Sequence, residues 1–140
     1  MKVKCKSLRN TALDDKPLSV VGLWRKMDLG NFLTVGKEYG VLGLEFSLAP
    51  QPEVAGMSVL IIPDVGFYAS FDIELFEMTD QRVSRYWEAY WPTTTRFFLQ
   101  HPLFHDTDLI EKLVAHDTAV NLAFDTTSQL LLSEFNDISC

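Results

Sequence analysis

The feature that most constrains this chain is a change of hydrophobic period along its length. Between Leu33 and Asp80 apolar and polar residues alternate in short bursts, each cut off by Gly, Pro or Asp. Period-two runs make half-buried strands, and the breakers between them make turns. Leu33–Phe46 reads as a strand with Tyr39, Val41 and Gly43 on one face, entered through a tight turn or bulge at Gly36. Pro50, Pro52 and Gly56 form the loop to a second strand over Met57–Ile62. Pro63-Asp64-Val65-Gly66 reads as a turn and Phe67–Phe71 as the returning strand of a hairpin. Asp72–Met78 is a further alternating segment, closed by Thr79-Asp80. Ahead of these, Val3 and Cys5 alternate with Lys2, Lys4 and Lys6 as a short strand, and Arg9–Ser19 reads as a long surface connection.

After Asp106 the spacing becomes helical. Asp108 and Glu111, ahead of Leu113 and Val114, match an N-cap with its capping glutamate. Val120, Ala123, Phe124, Thr127, Leu130, Leu131 and Phe135 predict a second helix near 118–135, with Thr126-Thr127 weakening its middle. Strands first and helices last predict an α+β fold. We expect a small, antiparallel, strongly bent sheet or partly open barrel over 33–80 and helices after 106. No repeat or Gly/Ser linker divides the 140 residues, which are expected to form a single domain, 1–140. At that length folding buries roughly two-thirds of the exposed surface, enough for one core without metals or disulfides.

Charge is unevenly spread. The net charge is −7, but residues 1–37 hold eight Lys or Arg against three Asp, and residues 38–140 hold four against sixteen acidic side chains. An acidic body repels phosphate backbones, which disfavours nucleic acid as a ligand, and it attracts basic proteins. The same surface can also serve solubility alone. The longest apolar run, such as Val59–Ile62, is strand-length, so no membrane span is expected. The basic start lacks the apolar stretch of a secretion signal, which points to a cytoplasmic protein. Cys5 and Cys140 then favour two free thiols over a disulfide closing the chain.

The stretch Leu33-Thr34-Val35-Gly36-Lys37-Glu38-Tyr39, followed by Val59–Asp64 and Leu75-Phe76-Glu77, resembles a group of short bacterial proteins. In them a T-x-G-K-x-Y strand opens a small SH3-like sheet, and an acidic turn and an L-F-E strand follow. Several members resemble immunity proteins that neutralise toxins of contact-dependent growth inhibition and related polymorphic systems. The resemblance covers under half the chain, and its motifs are structural. Val65 departs from it, standing where a second polar or turn residue is usual.

The titratable side chains form no catalytic constellation at recognisable spacing. His101 and His105 are four apart with Asp106 and Asp108 adjacent, but Pro102 turns His101 away from helical geometry and no His-Glu-x-x-His pattern exists. His116-Asp117 could orient a ring or cap a helix. Cys5 lies between Lys4 and Lys6, which strand alternation turns to the other face. Asp72 and Glu74 share a face if 72–78 is one strand, and that face would meet water. The seven glycines form no phosphate loop or dinucleotide fingerprint. We therefore expect no metal and no cofactor.

The aromatic set Tyr86-Trp87, Tyr90-Trp91 and Phe97-Phe98 reads mainly as core, although adjacent strand residues face opposite ways and some must reach the surface. Together these readings favour a non-enzymatic inhibitor whose partner is a basic protein toxin domain, most simply a nuclease. The expected toxin-binding residues are Asp72, Glu74 and Glu77 on the last strand of the sheet, with Trp87, Glu88, Tyr90 and Trp91 just after it. The alternatives are a small enzyme built around His101, His105 and Asp106, and an accessory or scaffold protein of a phage or secretion system.

Overall fold

The computed structural model describes residues 1–8, 29–48 and 56–136. The expected connection Arg9–Ser19, the loop prolines Pro50 and Pro52, and Cys140 lie outside the described residues. Seven strands run through the rest: β1 (Lys2–Cys5), β2 (Glu38–Ser47), β3 (Gly56–Ile61), β4 (Ala69–Asp72), β5 (Phe76–Asp80), β6 (Glu88–Thr93) and β7 (Arg96–Gln100). Single 3-10 turns occupy Leu29–Asn31, Ile73–Leu75 and Pro102–His105, and two helices follow, α1 (Leu109–Val114) and α2 (Thr118–Ser133). The α+β class and the order of its parts are as expected. The sheet is larger than the span 33–80, because β1 joins it and the hairpin β6–β7 extends it to Gln100.

Every strand pairing is antiparallel. Strand β2 is the hub. Its first residues, Glu38–Gly40, pair with β1, while Gly43–Ser47 pair with β3 on one edge and β7 on the other. Strands β4, β5 and β6 each pair with one neighbour only, so among the described residues the sheet stays open.

A bulge in β2 decides what each face carries. Val41 lies opposite Ile61 and Leu44 opposite Val59, so one extra residue is accommodated between Val41 and Gly43. Directly opposed residues share a face, and Val59 and Ile61 are two apart on β3. Val41 and Leu44 therefore both face the interior, where Val59, Ile61 and Phe71 are buried. The expectation that Gly43 shares a face with Tyr39 and Val41 fails here. The bulge sends Gly43 and Glu45 to the opposite face.

The motif T-x-G-K-x-Y closes the other end of β2. Gly36 has φ 85°, a left-handed conformation that glycine adopts without strain. The turn it makes lets Gly36 N–H donate to Cys5 O at 2.7 Å, while Cys5 N–H donates to Lys37 O at 3.0 Å. Asp64, from the turn before β4, then collects three side chains. Its Oδ2 accepts from Thr34 Oγ1 (2.7 Å), and its Oδ1 accepts from Lys37 Nζ (2.5 Å) and Tyr39 OH (3.1 Å). Thr34 N–H donates to the same Tyr39 oxygen at 2.8 Å.

The helices cover part of the face that carries Gly43. Leu109 and Leu113 of α1 are buried one turn apart, as are Phe124, Ser128 and Leu131 along α2. Phe124 meets Phe67, Tyr68 and Phe104 with ring centroids 6.0, 5.8 and 6.3 Å apart. Helix α2 crosses β2 at Gly40, where a Cβ would collide with Leu132 Cδ2. The Thr126-Thr127 pair does not interrupt α2, because tertiary packing of this face outweighs local propensity.

Helix capping differs from expectation in one place. Asp108 makes no side-chain cap, so the Asp108–Glu111 box is not formed. Asp106 does the local work instead: its Oδ1 accepts from Asp108 N–H at 2.9 Å and its Oδ2 from Lys112 Nζ at 2.6 Å. Asp117 caps α2, accepting from Val120 N–H at 3.2 Å. His116 sits between the helices at φ 58°, the left-handed residue that terminates α1.

Candidate functional site

Cross-strand register builds one surface from five strands. Tyr90 opposes Phe98, Phe98 opposes Glu45, Glu45 opposes Ser58, and Ser58 opposes Asp72. A second row runs Glu88, Gln100, Gly43, Leu60, Ser70 on the same face. Helical and turn residues cover only part of these rows. Beside them lies a cleft of about 290 Å³, lined by Glu45, Tyr68, Ser70, Tyr90, Arg96 and Phe98 among others.

Gly43 makes this arrangement possible. A Cβ there would lie 2.7 Å from Gln100 Cβ and 3.1 Å from Leu99 O, so only glycine lets β7 approach this closely. Gln100, buried, donates from Nε2 to Phe104 O at 3.1 Å and so ties the turn Pro102–His105 to the sheet. His101, extended before Pro102 as its position implies, accepts at Nδ1 from Leu103 N–H at 3.1 Å. The turn then lays the His105 ring on Tyr90, with centroids 4.3 Å apart and planes 20° from parallel. His105 Nε2 is buried without a hydrogen-bond partner among the described residues.

Charge in the cleft is concentrated at Glu45. Its Oε1 accepts from Arg96 Nη2 at 2.5 Å and Nε at 3.0 Å, and the Arg96 guanidinium lies 5.1 Å from the Phe98 ring centre. The Glu45 side chain is 19% exposed and that of Arg96 51%. Burial pushes the Tyr68 phenol up to about 12, with the charge of Asp106 adding to it. Burial also holds the His101 imidazole below its ordinary value, with Glu88 opposing and His105 reinforcing that direction. No group of three or more His, Cys, Asp or Glu is placed to hold a metal ion among the described residues.

The residues expected to bind a partner are divided by the fold. Asp72 ends β4, half-buried, and its Oδ1 accepts from Glu74 N–H at 2.9 Å. That bond starts the 3-10 turn holding Glu74, so Asp72 and Glu74 do not share a strand face. Glu77 lies on β5 opposite Lys4, and β5 is not the last strand. Trp87 is buried in the core and offers no surface anchor. Glu88 is exposed and Tyr90 half-buried on the cleft face. Trp91 is 57% exposed with its ring 4.4 Å from Phe97, on the opposite face of β6. Glu74, Glu77 and Glu88 form no ion pair among the described residues.

Glu45, Tyr68, Arg96 and Gln100 were missed by sequence reasoning. Glu45 carried a usable signal, as the one charge within Tyr39–Phe46. Cys5 is a buried free thiol, and burial raises its pKa, as its inward place on β1 requires. Comparison with known proteins found no matching family model, no matching curated protein and no matching solved structure.

Proposed function

We propose that this chain is a non-enzymatic inhibitor, an immunity protein that binds a basic toxin and covers the surface with which that toxin holds nucleic acid. The observation that carries the reading is the gathering of Glu45, Asp72 and Glu88 with Tyr90 and Phe98 on one sheet face. A nuclease is basic where it grips phosphate, so such a face matches it in charge and supplies aromatic anchors. The acidic excess of residues 38–140 adds a field of the same sign, which steers encounter. The inhibitor would act in the cytoplasm, where such a toxin meets its substrate.

The test pairs the purified chain with the toxin domain encoded beside it, in a surface-based kinetic assay at two ionic strengths. Glu74→Lys, Glu77→Lys and Glu88→Lys are expected to slow association, more at low salt than at high. Tyr90→Ala is expected to speed dissociation at a cost on the order of 2 kcal/mol, and Trp91→Ala, on the other face, to matter less. Absence of binding to the neighbouring toxin overturns the inhibitor reading. Tight binding indifferent to salt and to all these substitutions overturns the electrostatic mechanism.

A further inference from the structure

We infer that the cleft between Glu45, Tyr68 and Tyr90 is a subsite for an arginine side chain of the basic partner, and that Arg96 is the resident guanidinium this arginine displaces. The inference rests on the inhibitor reading and deepens it by naming what the acidic face receives.

The chain already shows how the cleft holds a guanidinium. Arg96 places two nitrogens on Glu45 Oε1, at 2.5 and 3.0 Å, and lies against the Phe98 ring. A carboxylate beside an aromatic face is the pairing that suits a planar, delocalised cation. The resident arginine leaves half of that capacity unused. Both of its contacts fall on Oε1, and Oε2 has no partner among the described residues. An incoming guanidinium can take both oxygens in the forked geometry that arginine and carboxylate favour.

Displacement is cheap. Arg96 is half in water, and ion pairs of that exposure contribute little to stability. Glu45 is the less exposed member, half-buried, and a cleft of about 290 Å³ has room for one long side chain beside it. Tyr68 and Tyr90 line the same space and supply further aromatic surface for the cation. Nearby charges favour a cation as well. Glu88 stands on the same face with no ion-pair partner among the described residues, whereas Asp106 at the Tyr68 side is matched by Lys112.

The experiment needs no toxin. N-acetyl-arginine amide is titrated into the full chain and followed by amide chemical shifts, with N-acetyl-lysine amide and N-acetyl-citrulline amide as matched probes. The arginine probe is expected to shift residues of β2, β4, β6 and β7 around the cleft, and citrulline to leave them unmoved. Glu45→Gln is expected to weaken the arginine probe by about tenfold, and Arg96→Ala to strengthen it by about threefold by removing the competitor. Lys2→Ala changes the net charge equally but lies on β1 beside Glu38, away from the cleft lining, and is expected to alter binding by less than about twofold. Circular dichroism confirms that each variant is folded. Equal response to citrulline or lysine overturns the inference, as does weaker binding by Arg96→Ala or an equal gain from Lys2→Ala. Such a failure retires the cleft as an arginine subsite, whereas failure of the inhibitor reading appears as loss of toxin binding.

Discussion

Two clusters in this molecule use the same chemistry to opposite ends. At the Asp64 cluster a carboxylate, a lysine, a threonine and a tyrosine consume one another's bonding capacity, and both Asp64 oxygens are taken. At the Glu45 cleft a carboxylate, an arginine and two tyrosines leave one carboxylate oxygen and His105 Nε2 without partners among the described residues. The first cluster pins the start of β2 to the turn before β4. The second sits where five strands and a short turn leave a gap. A polar cluster that satisfies itself is a structural device, whereas one with capacity left over beside a cleft is the place to look for a partner.

That contrast is most severely tested at Gly43. Gly43→Ala pushes a Cβ against Gln100 and the Leu99 carbonyl, backbone that cannot swing aside. We expect a loss of about 2–3 kcal/mol in urea unfolding, together with loss of the arginine-probe shifts. A neutral result would show that the approach of β7 to β2 does not need glycine.

Tyr39→Phe strikes the other cluster. It leaves Thr34 N–H and one Asp64 contact unmet, and the expected loss is about 1 kcal/mol, with binding of the arginine probe unchanged. A change in probe affinity would show that the two clusters are not independent.

The smallest effects lie in pH. Hydrogen bonds from Lys37 and then Thr34 hold the Asp64 carboxyl below its ordinary 3.8, so its contribution is present above that pH and is lost as pH falls through the folded value. Asp64→Asn should remove part of the acid slope of stability. Tyr68 has the opposite sign: raised from 10.0 to about 12, it stabilises below pH 10 and the contribution is lost as pH climbs toward 12. Tyrosinate absorbance should show a late-titrating phenol that Tyr68→Phe abolishes. Acid thus probes the Asp64 cluster, and alkali probes both sites, because burial also raises the Tyr39 phenol.

The strand bursts, the turn at Gly36 and the last helix were legible because each rests on local chemistry: period, a missing Cβ, and the spacing of Val120, Phe124, Thr127 and Leu131. The hairpin β6–β7 was not legible. Its Tyr90-Trp91 and Phe97-Phe98 pairs place large rings on both faces, which erases the alternation that marks a strand. Asp72–Met78 misled for the converse reason. It alternates cleanly, yet the Asp72 side chain captures Glu74 N–H and turns the chain before β5 begins.

What the sequence by itself determined is the α+β class, the inward Cys5, the turn at Gly36 and the acidic sign of the body, all set by neighbours within a few residues or by simple count. Only tertiary structure decided which side chains meet. One extra residue in β2 moved Gly43 and Glu45 off the core face. The pairing of β7 with β2 then brought Arg96 and Gln100 to them from more than 50 residues away. The physical reason is that strand register is a long-range property. Side chains alternate at every residue, so a single bulge reassigns a whole strand's faces, and no local pattern in the sequence records that change.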